Sequence, residues 1–70
     1  MDIKERFGSR VRELRHERGI SQEALALAAG IDRTYLPGIE KGVRNVSLEV
    51  IERLATALEI PIREFFSKEK

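Results

Sequence analysis

Residues 21–42 read SQEALALAAGIDRTYLPGIEKG, two short apolar-periodic runs with a glycine between them. Ser21 supplies a hydroxyl where a helix needs an N-cap, and the spacing predicts a helix over 22–29 with Leu25, Ala28 and Ala29 facing inward. Alanines there permit close approach to a neighbour, and Gly30 stops the helix after about two turns. Ala29, Gly30 and Ile31 form a three-residue turn, after which Asp32 is placed to cap a further helix over 33–41 that stops at Gly42. Two short helices therefore meet at a tight corner.

Working outward, Asp2 with Glu5 three residues later makes a capping-box pattern. Ile3, Phe7, Val11 and Leu14 then recur at helical spacing, predicting a helix over 3–18 ended by Gly19. Beyond the polar GVRN loop at 42–45, Ser47 caps a fourth helix over 48–58. Leu48, Ile51, Leu54, Ala55 and Leu58 form its inner face, and Val50 and Ala57 widen the apolar arc to about half the circumference. Pro61 suits the first turn of a fifth helix over 62–67, with Ile62, Phe65 and Phe66 on its apolar side, and the closing SKEK is expected to fray. No alternating pattern argues for a strand. The expected fold is all-α, five helices in one domain over 1–70.

A chain of this length buries a small core, so pairing with a second copy would add stability. The apolar run from Ala24 to Ile31 is too short to cross a bilayer. Without cysteine the chain holds no disulfide or thiolate metal site, and a cytoplasmic setting is expected. A net charge of +1 argues against a polyanion binder working by bulk charge. Distribution says more: residues 1–46 carry nine Lys/Arg against seven Asp/Glu, and nine of the thirteen cations are arginine. Arginine forks onto phosphates and guanines, so a localised basic surface is expected.

The corner at 21–42 follows the helix-turn-helix plan. Together with the sequence through Pro61, and above all the combination SQEALA, AGIDRTYL and IEKG, it resembles the lambda-repressor/Cro-like helix-turn-helix family, especially the controller proteins of restriction-modification systems. The resemblance runs from about Phe7 to Phe66. It implies a sequence-specific DNA-binding transcription regulator that binds a palindromic operator in double-stranded DNA as a homodimer, with RNA polymerase as a further candidate partner. No cofactor, membrane or small-molecule ligand is expected.

Under that resemblance the third helix is the recognition helix. Arg33 can fork onto a guanine and Thr34 can meet a thymine methyl, and the plainer alternative is an exposed arginine paired with a nearby acid. Gln22 opens the second helix, where unpaired N-H groups and the positive dipole end attract a phosphate; a solvated helix-start glutamine is the alternative. Tyr35 either reaches a phosphate with its hydroxyl or is a half-buried structural tyrosine. Lys41, Arg44, Asn45 and Ser47 are expected along the sugar-phosphate chain, or are ordinary loop polarity. The resemblance also implies an ion pair between Arg15 and Glu40, each at the edge of its helix's buried face.

Pro37 departs from the family pattern. In a helix beginning at 33 it stands at the fifth position, where it removes a hydrogen bond to the Arg33 carbonyl at a cost of about 3 kcal/mol. Gly38 adds roughly 1 kcal/mol. Either Leu36 and Ile39 hold a kinked helix in the core and Pro37 offers the bases only an apolar ring, or the helix breaks.

The surplus apolar residues Val50, Leu54, Ala57, Phe65 and Phe66 are assigned to a two-fold dimer interface, with at least one phenylalanine alternatively closing the monomer core. His16, the only histidine, has no companion for a metal, and no nucleotide-cradling loop is present, so no enzyme is expected. The rival class is a protein-interaction module, adaptor or antitoxin-like, on the same fold. Salt separates the two, because phosphate contacts weaken steeply as salt rises and apolar contacts do not.

Overall fold

Local hydrogen bonding starts the first helix where the capping box puts it. In the computed structural model, which describes residues 2–66, the Glu5 amide donates to Asp2 Oδ1 at 2.9 Å and the Asp2 amide donates to Glu5 Oε1 at 3.1 Å. Helix α1 spans Ile3–Glu17, and Gly19 turns the chain away at φ +66°. Helix α2, Gln22–Ala29, is capped by Ser21 Oγ accepting from the Ala24 amide at 3.0 Å and is stopped by Gly30 at φ +70°. Helix α4, Leu48–Leu58, starts the same way, with Ser47 Oγ accepting from Val50. It ends on Glu59 at φ +59°, a left-handed conformation taken here without glycine.

The helix between them departs from expectation. Asp32 does not cap it: the Asp32 carboxylate accepts from both the Thr34 amide, at 2.9 Å, and the Thr34 hydroxyl, at 2.8 Å. The segment through Tyr35 is thereby a turn, and α3 is confined to Leu36–Lys41. Asp side chains compete with helix in this way because they offer the backbone N-H a nearer partner. Pro37 consequently occupies the second position of α3, where its missing N-H has no helical partner to lose, and the expected interior penalty does not arise.

The fifth helix is a 3-10 helix, Ile62–Phe66, so the described residues hold four α-helices, one 3-10 helix and no strand. Residue 67, predicted as the last of that helix, and the rest of the SKEK tail lie outside the described residues.

Helix α1 crosses α3, α2 packs on α4, and the 3-10 helix closes over α1. Val11, Leu25, Leu36, Leu54 and Leu58 are fully buried where these elements meet, each contributing about 1.5–3 kcal/mol by leaving water. Phe65 meets Phe7 edge-on with centroids 4.9 Å apart. Two glycines set the position of α3. A methyl on Gly8 would fall on the carbonyl oxygen of Ile39, and one on Gly42, at φ +79°, would lie 2.6 Å from Glu5 Cα. At both glycines α1 and the C-terminal end of α3 meet backbone against backbone.

Several inward assignments change. In α2 the buried residues are Leu25, Ala26 and Ala29, while Ala28 is exposed. In α4 Leu48 is 84% exposed, and Ile51 is half-buried. With α4 covering α2 from one side, an apolar arc wider than its contact leaves the flanking residues in solvent.

Candidate nucleic-acid interface

Glu40, near the end of α3, ties three helices together. Its side chain is 4% exposed and faces Arg15 of α1, itself 10% exposed. Arg15 donates from Nε to Oε2 at 2.7 Å and from Nη2 to Oε1 at 3.0 Å, and its Nη1 donates to the Ile20 carbonyl at 2.9 Å. This is the forked geometry that suits a guanidinium to a carboxylate. Gln22, at the start of α2, adds a third donor with Nε2 at 3.0 Å from Oε1.

Burial works to raise the Glu40 carboxyl, but the hydrogen bonds from Arg15 and Gln22, with the charges of Arg15 and Arg12, outweigh it and hold the pKa below its ordinary value. The Glu40 hydrogen bond raises Arg15 in turn, against the opposing effect of burial. The expected Arg15–Glu40 ion pair is thus present. The Gln22 amide nitrogen, expected to face a phosphate, is engaged by Glu40.

Arg12, Arg15, Gln22, Pro37, Glu40 and Lys41 line one shallow cleft between α1, α2 and α3. Arg12 and Lys41 are exposed and place positive charge at its edge. Arg12 escaped the sequence reading, although its spacing of three from Arg15 puts both on one side of α1.

Arg33 and Thr34 are exposed in the turn that leads into α3, ahead of the helix instead of on it. The Thr34 hydroxyl donates to Asp32, and hydrogen bonds from the Thr34 amide and hydroxyl, with the Arg33 charge, lower the Asp32 pKa. Pro37 is half-buried in the cleft.

Tyr35, Arg44 and Asn45 come together on the other side of α3. Tyr35 is half-buried, and its hydroxyl lies 3.4 Å from the Asn45 carbonyl oxygen, a long contact. The Arg44 guanidinium sits over the tyrosine ring, 5.2 Å from its centroid, in cation-π range. Gly38 makes this possible, since a methyl there would lie 2.9 Å from Arg44 Cγ. Nothing in the sequence signalled that role. Ser47 Oγ accepts from Val50, leaving its hydroxyl proton free to donate.

The expected dimer residues divide. Leu54 and Phe65 are 0% and 2% exposed and belong to the core, because α4 presses Leu54 inward and Phe65 fills the space beside Phe7. Val50 and Ala57 are half-buried against the core, and Phe66 alone of the five is exposed. Exposed Leu48, Ile62 and Phe66, with half-buried Ile51, line a groove together with Glu49 and Glu52.

The described residues thus place exposed Arg12, Arg33, Lys41 and Arg44 around a helix-turn-helix corner braced by the Arg15–Glu40 ion pair. A family model described as helix-turn-helix matches residues 11–65. The chain belongs to that family, of the lambda-repressor-like kind. Among its relatives, the control protein C.MunI of a Mycoplasma species is 46% identical over 67 residues, covering 94% of this chain and 90% of that one. The restriction-modification controller protein C.AhdI of Aeromonas hydrophila has a crystal structure matching at TM-score 0.87 with 56% identity, covering 89% of this chain and 94% of that one. The controller protein C.Esp1396I, solved as a tetramer with its natural 35 base-pair operator, matches at TM-score 0.84 with 31% identity, covering 94% of this chain and 88% of that one. These relatives are regulators, not enzymes. No described helix of this chain is long and apolar enough to cross a membrane.

Proposed function

We propose that this chain is a controller-type transcription regulator, a single non-catalytic domain that acts in the cytoplasm and binds a two-fold symmetric operator as a homodimer. The observation that carries this is the Glu40 carboxylate joined at once to Arg15 and Gln22. It locks the start of α2 to α3, so the phosphate-facing N-H groups and the base-facing turn move as one body. Arg33 and Thr34 lead that body into the major groove, where a guanidinium forks onto guanine O6 and N7. Pro37 follows them with an apolar ring. The backbone amides at Gln22, the guanidinium of Arg44, and Lys41, Asn45 and Ser47 take phosphates along either side. Tyr35 takes a phosphate only by giving up its long contact to Asn45, and its firmer part is to carry Arg44. Two copies one helical turn apart, about 34 Å, ask for a palindrome.

The test is selection of bound duplexes from a random pool, followed by gel-shift titration of the winner. A two-fold symmetric consensus is expected, with Arg33→Ala costing about 1–3 kcal/mol of preference for one base pair in each half-site. A consensus without symmetry, or an Arg33→Ala variant that discriminates as the parent does, overturns the assignment.

A further inference from the structure

The turn ahead of α3 fixes the hydrogen-bonding character of the residue that follows Arg33. Asp32 Oδ1 accepts from the Thr34 amide at 2.9 Å and from the Thr34 hydroxyl at 2.8 Å, while the Asp32 carbonyl accepts from the Tyr35 amide at 3.0 Å. The same two hydrogen bonds, with the Arg33 charge, hold the carboxyl below its ordinary pKa, so Asp32 is ionised at neutral pH. An ionised carboxylate has no proton to give, and the Thr34 hydroxyl proton is therefore committed to it. What Thr34 Oγ1 offers outward is lone pairs alone. Asp32 Oδ2 has no hydrogen-bond partner among the described residues, and Asp32, Arg33 and Thr34 are all exposed.

Resting on the base reading of the preceding section, we infer that Asp32 and Thr34 act together as an acceptor pair that selects a cytosine beside the guanine taken by Arg33. Two outward acceptors, Thr34 Oγ1 and Asp32 Oδ2, need a donor on the floor of the major groove, and only the exocyclic amines of cytosine and adenine supply one. Adenine carries the N7 acceptor beside its amine, which would face the same lone pairs, whereas cytosine presents N4 with no acceptor next to it. Guanine, with O6 and N7, and thymine, with O4, set acceptor against acceptor and leave a desolvated carboxylate unpaired. Asp32 is thus a specificity-determining residue in two ways: it decides where the Thr34 proton points, and its charge excludes bases that present acceptors. Arg33 demands acceptors and its two neighbours demand a donor, so three consecutive residues read opposite patterns.

Duplex selection from a random pool, followed by gel-shift competition between the winner and duplexes changed at single base pairs, tests the pair on the intact chain. The parent should prefer cytosine over thymine by about tenfold at a position flanking the Arg33-dependent guanine, the size of a good base contact. Asp32→Asn keeps an oxygen for Thr34 and turns an NH2 group outward, so that preference should fall below about threefold or reverse toward thymine, whose O4 accepts. Thr34→Ser keeps the hydroxyl and its bond to Asp32 and should retain the preference, while Thr34→Val, which keeps only methyls, should lose it. Circular dichroism checks that each variant keeps its helices. An Asp32→Asn chain that loses affinity on every duplex alike, with its preferred base unchanged, would make Asp32 a turn former only and overturn the inference. Loss of the preference in Thr34→Ser, or its survival in Thr34→Val, overturns it too by making the methyl the reader. A pool that yields no consensus dependent on Arg33 removes the base reading itself, whereas such a consensus without the flanking cytosine overturns the acceptor pair alone.

Discussion

Replacing Glu40 with glutamine removes one charge and little volume from the place where α1, α2 and α3 meet. Glu40 accepts three hydrogen bonds, at 2.7, 3.0 and 3.0 Å, two from Arg15 and one from Gln22. A glutamine keeps one acceptor oxygen and turns the other position into a donor facing donors. At least one charge-assisted hydrogen bond is lost, worth about 1.5–3 kcal/mol, and Arg15 remains 10% exposed without a counter-charge. The expected loss is about 2 kcal/mol, a fall in Tm of about 8–16 °C for a domain of this size. Glu40→Ala, which strands Arg15 outright, should cost about 3–5 kcal/mol.

The same contacts predict a pH dependence. The folded-state pKa of Glu40 lies below its ordinary value of 4.5. The stability this confers is complete above that value and is lost as pH falls through the folded-state pKa. Thermal melts of parent and Glu40→Gln chains should therefore differ most at neutral pH and converge in acid. Operator affinity of the variant should fall as well, because α2 and α3 are no longer locked. A Tm within about 3 °C of the parent at pH 7, with unchanged affinity, would refute the bracing role.

Pro37→Ser should leave stability within about 1 kcal/mol of the parent by chemical denaturation, since Pro37 is in the first turn of α3; a gain near 3 kcal/mol would mean that the helix begins before Thr34. Gly8→Ala, which ordinarily stabilises a helix, should here destabilise by about 1–3 kcal/mol, because the new methyl meets the backbone oxygen of Ile39; a raised Tm would contradict the close α1–α3 approach. Arg44→Ala should weaken cognate and scrambled duplexes alike and lower the salt slope of binding by about one, and a selective loss on cognate DNA would mark Arg44 as a base reader.

Much of the fold was legible because its signals are local. Ser21 and Ser47 cap helices through amides three residues on, and α2 and α4 accordingly span 22–29 and 48–58 as their sequences predict. The capping box at Asp2 and Glu5 works within one turn. Where two local choices compete, pattern alone fails: Asp32 is as good a helix cap as a turn former, and its carboxylate took the Thr34 amide and hydroxyl. The same difficulty hid the role of Gly38, which depends on the Arg44 side chain arriving from the loop that follows α3.

The amino-acid order by itself determined that the chain is helical, where most helices begin and end, and that its corner belongs to a DNA-binding lineage. Caps, stops and periodicity act over a few residues, and a family motif is written in the order itself. Only the tertiary structure decided which apolar residues are interior: Leu54 and Phe65 are buried in the core, Phe65 edge-on against Phe7, while Leu48 and Phe66, equally apolar, stay exposed, Phe66 even though it stacks on Phe7. Burial belongs to the pairing of elements, and the side on which α4 and the 3-10 helix are covered is set by packing across the chain, not by their own spacing.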